Sequence, residues 1–420
     1  MDVVRTLRQE GFEALWAGGC VRDQLLGKSP KDYDVASTAL PDDIIRIFGR
    51  RRTIAIGASF GVIMVLGPDK AAGQIEVTTF RSDGEYLDGR RPSSVSFCRP
   101  EEDAKRRDFT INGMFFDPIS NEVIDYVGGR EDLADGIVRA IGDPIARFTE
   151  DKLRMLRAVR FTATFGFAVD AATLAAVHQF RQQICQVSEE RITQELKRML
   201  AHSSRAHSYD LLLHTGLLPE ILPELFADVQ LSGTEIRAEA CAATGEQLRQ
   251  LESEDFETAI TLVLLPLLTT SEAKSESAID AVCRRLKLSN EETECICWLA
   301  KSLSVLKNIQ TKPLHIRKSL LVHPHSERLL QIDSAIAAAE NRLSSEVKFC
   351  REYLLTTTRD ELSPPPLING QDLMALSVPQ GPEFRILLTT IRNEQLDEIL
   401  TTRVAALERL RALVAERTGN

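Results

Sequence analysis

EALWAGGCVRDQLLGKSPKDYDVA, residues 13–36, decides how the rest of this chain is read. It reads as a strand from Glu13 to Ala17, a glycine pair (Gly18, Gly19), a short helix from about Val21, and a second strand carrying Asp32 and Asp34. Glycine at a strand end lets the backbone approach a group that a Cβ would repel. Amides opening onto a following helix form a ready anion site. Side chains on a strand alternate with period two, so Asp32 and Asp34 are expected on one face. Hard carboxylate oxygens beside a phosphate site are what Mg2+ with a nucleoside triphosphate requires. Alone, a glycine pair is an ordinary turn and a D-x-D an ordinary solvated strand end. In this order and spacing they make a phosphate site with metal-binding carboxylates beside it the reading to follow.

The bulk numbers set the frame. A chain of 420 residues exceeds one ordinary core, so two to four domains are expected. Hydrophobic content of 43% and charged content of 27% are those of a globular protein, and no apolar run is long and uncharged enough to span a bilayer. The opening MDVVRTLRQEGFEALW lacks the basic-then-apolar pattern of a signal, so a cytoplasmic location is expected. The eight cysteines are scattered, and the only close pair, Cys295 and Cys297, has no second pair to complete a zinc site; buried free thiols are expected. A net charge of −10 excludes a generally basic surface, so a nucleic-acid partner would have to meet a local basic patch.

Outward from the glycine turn, residues 2–12 read as an amphipathic helix, and STALPDDIIRIF as a helix with Pro41 in its first turn. RTIAIG, FGVIMVL and QIEVTTF read as short strands between glycine-containing turns, a small α+β sheet domain. Glu76, on the last of these, is either a third carboxylate at the metal site or an outward-facing strand residue, and the second reading is preferred. Residues 81–95, RSDGEYLDGRRPSSV, show no periodicity and are expected to be a mobile segment beside the site. In EEDAKRRDFTINGMFF (101–116), Asn112 follows Asp108 by four positions, on the same helical face. Residues 125–143 read as strand, glycine turn, acidic helix and strand.

From Pro144 the pattern becomes helical. FTEDKLRMLRAVRFTATFGF (148–167) places Glu150 and Asp151 near a helix start, with Arg154, Arg157 and Arg160 as a stripe beyond. Residues 147–205 hold ten Lys/Arg against six Asp/Glu, the best candidate basic patch. SEERITQELKRMLA (188–201) opens as an N-capped helix, GLLPEILPELF as a proline-punctuated hinge, SPPPLINGQDLMAL as a linker, and the final stretch as a long polar-faced helix.

GGCVRD with DYD, RSDGEY…GRRP, KRRDFTING, GGREDL, EDKLRMLRAVRF and SEERITQELKRML stand in the order found in a known family. The chain resembles the bacterial class II tRNA nucleotidyltransferase and poly(A) polymerase family, closest to its CCA-adding branch. The match is dense from 13 to about 225 and returns in PLINGQDLMALSVPQGPEF; residues 226–360 match poorly, and without a His-Asp dipeptide no HD-type phosphohydrolase is expected there.

The resemblance implies an α+β fold: a polymerase-β-like nucleotidyltransferase head (1–143), then an elongated all-α neck (144–225), body (226–362) and tail (363–420). It implies that Gly19 and Arg22 contact the triphosphate, and that Asp32 and Asp34 hold Mg2+ and serve catalysis. Arg107 would contact the nucleotide, with Asp108 and Asn112 near its sugar. Asp151 and Arg154 would read the base beside Glu150, with Arg157 and Arg160 supporting phosphates or base. The implied reaction adds CCA to the 3′ end of tRNA from CTP and ATP, by two-metal transfer with pyrophosphate release and without a nucleic-acid template. The implied partners are tRNA, CTP and ATP, with no membrane and no protein partner. A poly(A) polymerase or a partial CC- or A-adding relative is the near alternative, although poly(A) polymerases tend to end in an extended basic tail and this sequence ends in RALVAERTGN. C-only relatives have the 81–95 loop shortened, which favours an enzyme able to add A. A catalytically silent RNA-binding protein is the reading from another class; retention of both carboxylates disfavours it.

Overall fold

The computed structural model describes residues 1–57, 60–67, 73–84, 94–226, 234–268 and 272–418. It separates into two units, Met1–Ala227 and Asp228–Asn420.

The first unit opens with helix α1 (Asp2–Gln9), strand β1 (Ala14–Ala17), helix α2 (Gly19–Leu25), strand β2 (Asp34–Ser37) and helix α3 (Pro41–Phe48), the last started by a proline whose missing N–H costs nothing there. Strands β3 (Thr53–Gly57), β4 (Val62–Leu66) and β5 (Gln74–Thr79) fall where the β-rich runs predict. Two short strands, β6 (Arg81–Asp83) and β7 (Val95–Phe97), pair antiparallel with each other. Helix α4 (Pro100–Lys105), strands β8 (Phe115–Asp117) and β9 (Glu122–Ile124) and helix α5 (Gly129–Asp135) complete this part. The central sheet runs β3-β4-β5-β2-β1-β8-β9, mixed because β2 and β5 are parallel while its other pairs are antiparallel.

Alternation divides the sheet. Val35 and Val77 point with Ile63 and Val65 into a core closed by Val4 and Leu7 of α1 and Ile44 of α3. Asp34 and Glu76, one residue earlier on paired strands, point to the opposite face. A second core joins the sheet part to the helices that follow: Cys20, Val21, Phe109, Ile111 and Met114 pack with Ala158 and Phe161.

Those helices are α6 (Pro144–Glu150), α7 (Arg154–Phe165), α8 (Ala171–Phe180), α9 (Glu189–Leu200) and α10 (Arg205–His214). The second unit is helical throughout its described residues, from Thr234–Gln250 to Arg403–Thr418. No helix among the described residues is long and apolar enough to cross a membrane.

The structure corrects several expectations. The 81–95 segment was expected to hold no regular element, but its ends form the β6–β7 ladder; its centre, 85–93, lies outside the described residues. Arg106 to Asp108 leave α4 as a turn, and Thr110–Asn112 is a 3-10 turn, so Asp108 and Asn112 share no α-helix. The strand expected to open residues 125–143 lies just before them, at Glu122–Ile124. Glu150 ends α6 and Asp151 is extended between helices, so the acid pair does not open one continuous helix. The chain's end is two helices, Pro382–Leu396 and Arg403–Thr418, because Glu398 adopts a left-handed φ of 63° between them. Cys185 is exposed, and Cys98, Cys241 and Cys297 are only partly covered; all eight thiols are free, and Cys20, Cys283, Cys295 and Cys350 are buried as expected.

Candidate active site

Gly18 ends the turn after β1 with φ of 71°, a conformation that favours glycine. A Cβ there would stand 3.0 Å from Nη1 of Arg107, so the missing side chain makes room for that guanidinium. Gly19 begins α2, and a Cβ there would meet nothing closer than Arg22 at 3.5 Å. Gly18 is therefore the glycine that the geometry demands.

Asp34 starts β2 and lies in register with Glu76 of β5. Asp32 is not on the strand; it sits exposed on the bend ahead of it, so the strand-face argument for the pair does not hold. Asp34 keeps solvent contact in the cleft, yet burial pushes its carboxyl above the usual range. Arg107 draws it back, and the charge of Asp32 adds to the upward push. Burial also raises the Glu76 carboxyl, and the charge of Asp34 raises it further. Glu76 thus shares the wall with Asp34 instead of facing away, against the preferred reading of the sequence.

Two neighbouring carboxylates with raised proton affinity, Asp34 and Glu76, are the environment a divalent cation relieves. Among the described residues no three His, Cys, Asp or Glu groups converge closely enough to cage an ion unaided. Two carboxylates on one wall leave a divalent cation's remaining positions to water or to a ligand's oxygens.

Arginines close the rest of the cleft, a cavity of about 530 Å3, within the range of small-molecule sites. Seven line it (Arg22, Arg81, Arg106, Arg107, Arg154, Arg157, Arg191) against three aspartates (Asp34, Asp108, Asp151), an excess that selects a polyanion. Arg22 is buried; its Nε and Nη2 donate to Asp23 at 2.9 and 2.7 Å and its Nη1 to Oδ1 of Asn112 at 2.5 Å. Asn112 in turn donates from Nδ2 to Oδ1 of Asp108 at 3.1 Å, so the contact expected of a helix is made by a turn. Burial alone would raise the Asp108 carboxyl, but the charge and hydrogen bonds of Arg157, with Asn112 and Arg154 assisting, hold it at about 2.

Asp103 is missing from the sequence reading and is central. It is 1% exposed; Oδ1 accepts from Nε of Arg106 at 2.9 Å, and Oδ2 accepts from Nε and Nη2 of Arg107 at 3.1 and 2.9 Å. Its spacing of three and four residues before two arginines is the signal that could have found it.

Asp151 accepts the Leu153 amide at 3.1 Å and a bidentate grip from Arg191 at 3.1 and 2.7 Å. Arg154 donates from Nη1 to the Arg147 carbonyl at 3.1 Å and to Glu150 at 2.6 Å, and from Nη2 to the Arg106 carbonyl at 3.2 Å. Arg160 stands apart from the cleft lining, with Nε 2.6 Å from Glu195. Glu195 also takes Arg198 at 3.0 Å and Arg157 at 4.0 Å. The expected basic patch is therefore largely a set of ion pairs, some lining the cleft and others, around Glu195, set apart from it. Arg191 and Glu195 were legible only as helix charges, because their partners lie 40 and 35 residues away.

The family model of the poly A polymerase head domain matches residues 14–139, and that of a probable RNA and SrmB-binding site of polymerase A matches residues 166–228. The chain is 38% identical over 387 residues to the CCA-adding enzyme of Enterococcus faecalis, covering 89% of this chain and 85% of that one. To the CCA-adding enzyme of Geobacillus kaustophilus it is 42% identical over 232 residues, 55% of this chain and 56% of the relative. The chain thus spans about half the length of the Geobacillus relatives it matches. The crystal structure of the Bacillus stearothermophilus CCA-adding enzyme in complex with CTP superposes with a TM-score of 0.75 at 29% identity, covering 99% of this chain and 98% of that one. The Thermotoga maritima CCA-adding enzyme complexed with tRNA shares the fold at a TM-score of 0.62 and 21% identity, over 98% of this chain and 94% of that one.

Proposed function

This chain belongs to the family of CCA-adding enzymes, and from that membership we propose that it adds C, C and A to the 3′ end of tRNA from CTP and ATP, releasing pyrophosphate. The observation that carries the reading is the meeting, in one cleft, of Asp34, the Gly18 turn and seven guanidinium groups. On this reading residues 1–143 are the catalytic head, 144–225 the neck, 226–362 the body and 363–420 the tail, working in the cytoplasm.

Asp32 and Asp34, with Glu76 beside them, would hold Mg2+. When bound, such ions supply charge for the phosphates and lower the pKa of an attacking hydroxyl. The rest falls to the chain's own groups. Arg22 and Arg107 neutralise the triphosphate and fix its orientation, in the way that phosphoryl transfer depends on positioning more than on covalent help. Asp108 and Asn112 form the sugar-side wall.

Asp151 and Arg154 would choose the base. A carboxylate only accepts and a guanidinium only donates. Cytosine offers an amino donor beside N3 and O2, and adenine one beside N1; uracil and guanine put a carbonyl where Asp151 needs a donor. With Arg191 and the Leu153 amide on its oxygens, Asp151 keeps an acceptor site on Oδ2 for that amino group. Arg154 keeps Nε–H and one Nη2–H beyond its described partners. A mismatch that strands a polar group in such a site discriminates by about 10⁴-fold.

The test uses tRNA transcripts ending before, within or just short of CCA, offered CTP and ATP separately, with products sequenced. Two C additions from CTP, and one A only on the CC-ended transcript, are expected. Long A tracts, or addition of C alone, would replace the CCA reading by a poly(A)- or CC-adding one.

A further inference from the structure

Phe161 sits where the sheet part and the helices of the first unit join. It is 5% exposed, lines the cleft, and belongs to the core that joins α2 to α7. Three cations share its ring: Cζ of Arg160 lies 4.1 Å from the centroid, and those of Arg22 and Arg157 each lie 5.3 Å away. Phe165, stacked beside it at 6.2 Å, takes Arg22 again at 4.5 Å.

Each of these arginines is bonded to a carboxylate: Asp23 for Arg22, Asp108 for Arg157, and Glu195, shared with Arg198, for Arg160. Those bonds engage the guanidinium edges, and the ring supports the faces. Like charges gathered around one point also repel. Burial, with the charges of Arg157 and Arg198, holds the Arg160 guanidinium below its ordinary value in spite of Glu195. An aromatic face attracts each cation through its quadrupole, most strongly where water is excluded. An aliphatic side chain of similar volume fills the space without that attraction.

We propose that Phe161 is a positioning residue for the triphosphate: its ring holds Arg22 from the sheet part and Arg157 from α7 at one spacing, ready for a polyanion. The role rests on the nucleotidyltransferase reading above. It acts on phosphate, not on the base, so it is blind to the choice between CTP and ATP.

The test compares full-length wild type with F161L, F161M and F161Y, in Mg2+, for calorimetric binding of CTP, ATP and inorganic tripolyphosphate, and for steady-state kinetics on tRNA. F161L and F161M are expected to weaken all three ligands by the same factor, about 5–30-fold, raising KM while leaving kcat close to wild type. F161Y, which keeps the ring, is expected to restore binding. Wild-type affinity for tripolyphosphate in F161L and F161M would overturn the proposal. So would a loss confined to ATP or CTP, or an F161Y as defective as F161L with an equal fall in melting temperature, since that is packing alone. Wild-type protein that binds no CTP would overturn the nucleotidyltransferase reading itself and this role with it.

Discussion

Oδ2 of Asp108 accepts hydrogen bonds from both Nε and Nη2 of Arg157, tying a turn beside the sheet to helix α7 49 residues later in the chain. The same carboxylate reaches Arg22 through Asn112, so one chain of contacts runs from the proposed phosphate arginine to the proposed base-reading helix.

That tie has a pH signature. The Asp108 carboxyl sits at about 2 in the folded state, below its ordinary value of 3.8. Its contribution, about 2–3 kcal/mol, is therefore fully present above pH 5 and is lost as pH falls from near 4 through 2. D108N is expected to be less stable than wild type at pH 7, with the gap closing below pH 4 in urea-unfolding curves. A gap independent of pH would remove the ion pair as its cause.

Asp103 organises Arg106 and Arg107, two of the arginines that line the cleft. Burial would raise its carboxyl, but Arg107 and Arg106 more than offset this and hold it below the usual carboxylate range. Removing it leaves two buried-side guanidinium groups without their shared partner. D103A is expected to lose about 3–5 kcal/mol of stability. D103N, which keeps the shape, should raise KM for CTP and ATP together. An unchanged KM in a folded D103N would show that Arg107 needs no such anchor.

Asp34 should be costly to the protein without metal. Burial comes first in raising its carboxyl; Arg107 offsets part of this, while Asp32 and Glu76, which it faces in register, repel its charge. In chelator at neutral pH, D34N is expected to melt above wild type by only about 1–2 °C, because solvent screens a carboxylate this exposed. Added Mg2+ should raise the wild-type melting temperature and leave D34N where it was. A lower melting temperature for D34N in chelator would contradict the repulsion.

Asp151 carries the proposed base choice. D151A is expected to narrow the preference for CTP over UTP by about 100-fold or more, read as the ratio of kcat/KM values. Unchanged selectivity would count against Asp151 as the reader.

The sequence disclosed what local rules govern. The order of helices and strands through residue 80, the glycine turn, and the face that carries Asp34 all follow from periodicity and turn chemistry over a few residues. It misled where a pairing is tertiary. Asp32 and Asp34 look like one strand face, yet β2 begins only at Asp34 and Asp32 is brought near by a bend. Glu76 looks solvent-facing until β5 is laid parallel to β2. Asp108 and Asn112 have helical spacing and make the implied contact, but on a turn, because the chain leaves α4 at Arg106. Arg191 and Glu195 read as ordinary helix charges, since nothing local announces a partner so far back in the chain.

The most direct measurement is nucleotide incorporation by a D32A/D34A variant on tRNA lacking its 3′ CCA, paired with the variant's affinity for that tRNA. Incorporation at background, with tRNA affinity equal to wild type, is the expected result. Incorporation that survives the loss of both carboxylates would contradict transfer at this cleft.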